Sequence, residues 1–207
     1  GILKWAMSLD GRTSLPNGSS KWITSNESRN WVHRCRAKCD AIIVGGETVR
    51  SDDPLLTSRG ISFPEPLRVV FSRSLKFPSK AKVWDTSVAK TVIAYGPSIK
   101  PRQIENLPKE PEQILLEGSD PLSLLNALAN RNCNKVLWEC GPALASQAIE
   151  QGCVQELLVF VAPKILGGLP ANSPLNDFGF TSMEKVFLMD NSALNKFGDD
   201  WLLNMHF

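Results

Sequence analysis

The chain has 207 residues, of which 43% are hydrophobic and 21% are charged, and its formal net charge is +2. This composition supplies a buried core and excludes disordered and fibrous proteins. No apolar run approaches the roughly 18 residues that cross a bilayer, and no long run of like charges occurs, so we expect neither a membrane partner nor a nucleic-acid partner. The length fits one large domain or two small ones, and a single α/β domain over residues 1–207 is favoured.

In chain order, the apolar stretch at residues 2–7 predicts a strand that ends in a Ser-Leu-Asp-Gly turn. Capping-box spacing from Thr24 to Glu27, followed by apolar residues at helical intervals, predicts a helix over 25–38. The β-branched run at 41–44 predicts a central strand buried on both faces. The polar segment 47–59 is then expected to be a loop with a short helical turn.

Later patterns predict strands at residues 67–71, 91–95, 113–116, 135–138 and 157–162. One helix is predicted to begin at Asp120 and Pro121, and another to run from Gly141 to Gly152. This alternation implies right-handed crossovers and a mostly parallel sheet flanked by helices. The predicted strands at 185–190 and 201–206 have no helix between them, which indicates an antiparallel hairpin at the C-terminus.

The five cysteines are an odd number and lie mostly in or beside periodic apolar segments, which favours reduced thiols in a cytosol-like compartment. Cys35 and Cys39 have helical spacing that is typical of core packing, and no zinc motif occurs. Adjacent Asp52 and Asp53 can bind a divalent cation, but before Pro54 they more often form an Asx turn. We therefore expect no metal site.

Dinucleotide and P-loop fingerprints are absent, which disfavours the ordinary Rossmann and P-loop folds. Glu139 ends a predicted parallel strand, and Gly141 with Pro142 opens a helix whose N-terminal amides can hold an anion. The alternative is an ordinary turn with a solvated Glu139. Lys4 lies in an otherwise apolar strand, so it must either form a structural ion pair or face a cleft.

Several segments occur in a recognisable order: KWAMSLDG at 4–11, SKWIT at 20–24, RA at 36–37 with DAI at 40–42, TVRSDDPLL at 48–56, ECGP at 139–142 and APKILG at 162–167. Together they resemble the pyrimidine reductase domain of riboflavin biosynthesis, the C-terminal half of a bifunctional deaminase/reductase. The resemblance implies a dihydrofolate-reductase-like fold. It also implies NADPH-dependent reduction of 5-amino-6-(5-phosphoribosylamino)uracil to 5-amino-6-(5-phosphoribitylamino)uracil by hydride transfer to ribose C1′. A homodimer is expected, and a fused or separate deaminase domain would lie outside these residues.

The resemblance also assigns site residues by position. Lys4 and Glu139 would be catalytic. Substrate contacts would fall on Ser20, Arg36, Leu56, Arg59 and Glu139. Cofactor contacts would fall on Ala6, Trp22, Thr48, Asp52, Gly141, Pro142, Ala143, Leu144, Ala145, Ser146 and Gln147. Arg36 with Arg59 suits a terminal phosphate, whereas Glu139 would either hold the opened ribose hydroxyls or support proton transfer.

One departure from the family pattern follows the predicted strand at 67–71, where Ser72 and Arg73 replace the usual Asp-Ser. A guanidinium between two hydroxyls suits the adenosine 2′-phosphate of NADPH, and the alternative is a solvated surface turn.

Two rival functions are a non-catalytic pyrimidine- or nucleotide-binding module and a reductase of a related pterin or folate. The charged set of Lys4, Asp52 and Glu139 disfavours the first, and the Arg36 and Arg59 pair disfavours the second. The expected location is cytoplasmic, or plastidic in a plant or alga.

Overall fold

The computed structural model describes residues 1–168 and 172–207. These residues divide into two compact units. Unit 1 comprises Gly1–Trp31 and Pro142–Phe207, and unit 2 comprises Val32–Gly141. Within the described residues, no helix is long and apolar enough to cross a membrane.

The strands and helices follow the order expected from the sequence. They are β1 (Ile2–Ser8), α1 (Asn26–Arg36), β2 (Ala41–Gly45), α2 (Gly46–Asp52), β3 (Leu67–Phe71), β4 (Thr91–Tyr95), α3 (Pro101–Ile104), β5 (Glu112–Leu115), α4 (Pro121–Ala129), β6 (Val136–Trp138), α5 (Pro142–Glu150), β7 (Glu156–Ala162), β8 (Asp190–Phe197) and β9 (Asp200–His206). Short 3₁₀ turns occur at Lys82–Trp84 and Met183–Lys185. Helix α3 lies between two of the predicted strands, where the sequence patterns predict no helix.

Unit 2 is built on parallel strands in the order β5-β4-β3-β2-β6. Strand β2 lies between β3 and β6 and is buried on both faces, as its β-branched sequence predicts, with Ile42, Ile43 and Val44 at 0% exposure. Helix α4 begins where the sequence indicates, because the Asp120 side chain accepts a hydrogen bond from the Ser123 backbone N–H.

Unit 1 contains strands in the order β1-β7-β9-β8. Strand β1 pairs with β7 in parallel, with Lys4 opposite Leu158, whereas β9 is antiparallel to both β7 and β8. The mostly parallel sheet and the C-terminal antiparallel hairpin are both confirmed.

The first strand of that hairpin lies further along the chain than expected. The prediction of a strand at 185–190 was wrong, because β8 runs from Asp190 to Phe197 and pairs Phe197 with Asp200 across a two-residue turn. Gly198 in this turn has φ +61°, a conformation that glycine adopts without strain. The apolar residues before β8 are used elsewhere, since Phe187 contacts the rings of Phe180 and Phe207.

The turn after β1 is fixed by one carboxylate. Asp10 accepts hydrogen bonds from the Ser8 hydroxyl and from the backbone N–H groups of Leu166 and Gly167. These donors stabilise the charged form, with the Ser8 hydroxyl contributing most, and they lower the pKa of Asp10 from 3.8 to about 2. The turn is therefore tied to the chain that follows β7 by an ionised side chain.

This lowered pKa predicts an acid-dependent contribution to stability. A carboxyl group whose pKa is lower in the folded state stabilises the protein above its ordinary pKa, and this contribution disappears as the pH falls towards the folded value. The Asp10→Asn variant should be less stable than wild type near neutral pH, and the difference should shrink as the pH falls from about 4 to about 2. Urea unfolding across this range measures the difference, with Asp199→Asn as an exposed control. A difference that stays constant with pH would contradict this role.

Candidate functional site

Arg36 and Glu139 form a bidentate ion pair in unit 2. The Arg36 Nε donates to Glu139 Oε1 at 2.6 Å, and Nη2 donates to Oε2 at 3.0 Å. Their side chains are 14% and 12% exposed, so the pair is largely removed from water. The Glu139 backbone N–H donates to the Ile43 carbonyl, which places the carboxylate at the carboxyl end of β2 and β6. Ligands of open α/β sheets bind at this edge.

The charge of the Arg36 guanidinium is balanced by its partner. Burial alone would lower the pKa of Arg36, but the charge and hydrogen bonds of Glu139 outweigh burial and raise it above its ordinary value. The remaining terminal nitrogen of this guanidinium, Nη1, donates to the Thr57 carbonyl at 3.0 Å. Arg36 therefore joins the carboxylate to the segment that contains the predicted substrate residues Leu56 and Arg59.

The segment 53–59 has an unusual backbone. Asp53, Leu56 and Arg59 have φ values of +44°, +54° and +61°, in the left-handed region that non-glycine residues rarely adopt. Such strain persists only where the surroundings impose it, and it concentrates at functional sites. The Leu56 side chain is 2% exposed and packs in the hydrophobic core, whereas Arg59 is exposed. A ligand at this segment would therefore meet the exposed Arg59 rather than the buried Leu56.

Two further side chains hold this strained segment. Glu65 accepts from the backbone N–H groups of Ser58 and Gly60. Its burial would raise the pKa of Glu65, but those N–H groups and the charge of Arg36 outweigh burial and lower it. The second is Arg68, which donates to the Leu55 carbonyl at 3.2 Å. The segment is therefore fixed on several sides.

Arg68 is a residue that the sequence analysis missed. It is 0% exposed within β3, and its guanidinium also donates to the carbonyls of Lys82, Asp85 and Ala89. Burial lowers the pKa of Arg68. The signal was present in the sequence, because an arginine inside the apolar strand 67–71 must find acceptors for the same reason that applies to Lys4.

Among the predicted cofactor residues of unit 2, Thr48 and Gly141 lie close together. A Cβ atom placed on Gly141 would have Thr48 Oγ1 as its nearest neighbour, at 4.0 Å, so the main chain there is open to a ligand. Asp52 ends α2 and is half-buried. Its neighbour Asp53 accepts from the Lys82 backbone N–H and pairs with the Lys82 ammonium at 3.1 Å. Within 1–168 and 172–207, no cluster of acidic, histidine or cysteine residues could hold a metal ion.

Ser72 and Arg73, the two residues predicted to contact the adenosine end of the cofactor, lie in the turn after β3 and differ in their exposure to solvent. The Ser72 hydroxyl is buried and accepts hydrogen bonds from the backbone N–H groups of Ser74 and Leu75. Arg73 is exposed. Ser72 therefore closes its own turn, and Arg73 is the side chain that this turn presents to solvent.

Unit 1 carries the remaining predicted residues. Lys4 and Ala6 are half-buried on β1, and Ser20 precedes the 64%-exposed Trp22. In α5, Pro142 and Ala143 are exposed and Leu144 and Gln147 are half-buried, whereas Ala145 and Ser146 are buried. The Ser146 hydroxyl accepts from the Asn176 backbone N–H, so the first-turn amides of the helix are better suited to a ligand than this side chain.

Known proteins match this chain over almost its whole length. Residues 1–203 match the family model described as the RibD C-terminal domain. The chain belongs to this family. Riboflavin biosynthesis protein RibD of a Synechocystis strain is 44% identical over 98% of this chain and 55% of its own length. The chain therefore spans about half the length of the curated RibD relatives that it matches.

Solved structures of the RibD family share this fold. Acinetobacter baumannii RibD has a TM-score of 0.83 and 29% identity, covering 99% of this chain and 57% of that one. The second structure is a diaminohydroxyphosphoribosylaminopyrimidine deaminase/5-amino-6-(5-phosphoribosylamino)uracil reductase from Thermotoga maritima. It has a TM-score of 0.82 and 26% identity, covering 99% of this chain and 55% of that one. The expected dihydrofolate-reductase-like fold is confirmed.

The four carbonyls that Arg68 satisfies make a strong prediction about stability. Arg68→Met should lower the free energy of unfolding by about 3 kcal/mol or more, because removing a buried hydrogen-bonded charge leaves its acceptors unpaired. The matched control is Arg73→Met at the exposed arginine of the next turn, which should change stability by less than about 0.5 kcal/mol. Urea denaturation of both variants measures the two losses. Equal losses of stability in the two variants would show that the contacts of Arg68 do not stabilise the fold.

Proposed function

We propose that this chain catalyses the NADPH-dependent reduction of 5-amino-6-(5-phosphoribosylamino)uracil to 5-amino-6-(5-phosphoribitylamino)uracil in riboflavin biosynthesis. Membership of the RibD C-terminal domain family supports the reaction class. The observation that carries the proposal is the Glu139 carboxylate, held by Arg36 at the carboxyl end of parallel strands. A carboxylate fixed at this edge can hold the reacting end of a substrate, which suits a reductase of this family.

The residues present fit a nicotinamide cofactor. When bound, NADPH supplies the hydride that reduces C1′ of the ring-opened substrate. The first-turn amides of α5 suit its pyrophosphate, and Gly141 has no side chain to obstruct a close approach. Trp22 exposes an indole face for stacking, and the exposed Arg73 suits the 2′-phosphate. Ala6, Thr48 and Asp52 are proposed to complete the contacts.

On the substrate side, we assign Glu139 the role of an acceptor rather than a proton donor. Its two oxygens already accept hydrogen bonds from Arg36, and each has a further lone pair that can accept from the hydroxyls of the opened ribose. The exposed Arg59 suits the terminal phosphate better than Arg36, whose charge is already balanced. Lys4 and Ser20 are proposed to donate hydrogen bonds to the substrate.

The wider assignments are also proposals. The odd number of cysteines suits a reducing compartment, which would be the cytoplasm or a plastid. This chain covers only 55% of the length of the Synechocystis RibD relative. We therefore propose a deaminase domain, fused or separate, as a partner. A homodimer, and a single reductase domain over residues 1–207, are proposed on the resemblance to the family.

The proposed reaction is tested by following NADPH absorbance. The protein should oxidise NADPH only when the phosphorylated ribosylamino pyrimidine is present, and treatment with a chelator should leave the rate unchanged. A dephosphorylated substrate should show a KM raised about tenfold, because a charge-assisted phosphate contact is worth roughly 1.5 to 3 kcal/mol. Binding of NADPH and pyrimidine without turnover would favour the non-catalytic module, and turnover of dihydropterins or dihydrofolate would favour the related reductase.

The ion pair predicts that Arg36 and Glu139 act as one unit. Glu139→Gln should lower kcat by about 10²-fold while NADPH affinity stays within a few fold, since it removes a contact made in the transition state. Arg36→Met should lower kcat similarly, and the double variant should be no worse than either single variant. The control is Arg34→Met, at an exposed arginine of α1. Losses that multiply in the double variant would assign independent roles to the two residues.

A further inference from the structure

The segment APKILG at 162–167 belongs to the family pattern, but none of the roles proposed above falls on it. Its lysine makes two contacts with the predicted cofactor-binding segment of unit 1. The Lys164 Nζ donates to the Trp22 carbonyl at 2.8 Å and to the Ile23 carbonyl at 2.6 Å. A single ammonium group therefore fixes two consecutive peptide units beside an exposed indole.

Lys164 is itself firmly mounted. Its carbonyl accepts from the Leu9 backbone N–H at 2.8 Å. Two and three residues further on, the N–H groups of Leu166 and Gly167 donate to the Asp10 carboxylate at 3.1 and 2.7 Å. The turn after β1 thus holds the main chain of this segment from both sides. Because the main chain that carries Lys164 is held by these hydrogen bonds, its ammonium group holds the Trp22 carbonyl in place relative to β1.

The Trp22 ring is fixed as well, although it is 64% exposed. The Arg29 guanidinium carbon lies 4.3 Å from the centre of the ring, within cation–π distance. Arg29 also donates to the Thr24 carbonyl, and the Ile23 N–H closes a turn by donating to the Ser20 carbonyl at 3.1 Å. A large aromatic side chain left in water yet held at both its ring and its main chain is organised in advance for a flat ligand.

We propose that Lys164 is a positioning residue for cofactor binding, which holds the main chain at Trp22 and Ile23 so that the indole is presented to the cofactor in its bound orientation. Lys164 acts through Trp22, and Arg29 fixes the same ring from its face. This inference rests on the proposed function, because Trp22 is assigned to the cofactor there.

NADPH titration at equilibrium, without pyrimidine substrate, tests the role apart from turnover. Lys164→Met should weaken binding about tenfold, since a mobile indole must be ordered on binding. Lys164→Arg keeps two donors and should stay within about twofold of wild type. The matched control is Lys196→Met, at an exposed lysine of unit 1 near a different tryptophan, Trp201. It should also stay within about twofold.

A double-variant cycle distinguishes positioning from a general structural effect. Trp22→Ala should weaken NADPH binding by itself, and adding Lys164→Met to it should change the dissociation constant by less than about twofold. Arg29→Met should behave in the same way as Lys164→Met and provides an independent second variant. Losses that multiply with Trp22→Ala, or an unchanged affinity in Lys164→Met, would overturn the inference.

The failure of the proposed function gives a different result. If the wild-type chain does not bind NADPH, the proposed function fails, and the role of Lys164 fails with it. If wild type and Trp22→Ala bind NADPH equally, only the inference about Trp22 and Lys164 is overturned.

Discussion

A guanidinium group that is removed from water must find acceptors for most of its N–H groups, and unit 2 contains two such groups. Arg36 is shared between the Glu139 carboxylate and the Thr57 carbonyl, and Arg68 between four carbonyls. Each joins a strand or helix to a loop that would otherwise be free to move. An unpaired buried charge is far more costly than an exposed one, so breaking these contacts would be unfavourable. The two arginines therefore hold the loop around Thr57 in place.

This fixed loop explains how the backbone at Leu56 and Arg59 is kept in a conformation that both residues disfavour. The strain is tolerated because Glu65, Arg36 and Arg68 hold the main chain around it. The result is a preformed surface with Arg59 exposed and the Glu139 carboxylate oriented. Preorganised charges of this kind would need no rearrangement when the proposed substrate binds, which is the condition for effective electrostatic catalysis.

Unit 1 uses the same means on an exposed element. Trp22 cannot be held by burial, so its main chain is held by an ammonium and its ring by a guanidinium. The Asp10 carboxylate then holds the segment that carries the ammonium. In both units, side chains with several donors or acceptors fix the orientation of a group that we propose contacts a ligand, and these side chains are supported by the apolar core.

The sequence by itself determined the local elements and the family. The β-branched run at Ile42, the cap at Asp120 and the ordered family segments each act over a few residues, so their consequences can be read directly from the chain. Only the tertiary structure decided that Arg36 pairs with Glu139, 103 residues away, and that Leu56 turns into the core. The register of β8 was decided in the same way, since a two-residue turn outweighed a more apolar segment. Such pairings depend on which groups, far apart in the sequence, become hydrogen-bond or packing partners when the chain folds. Local sequence patterns do not contain that information.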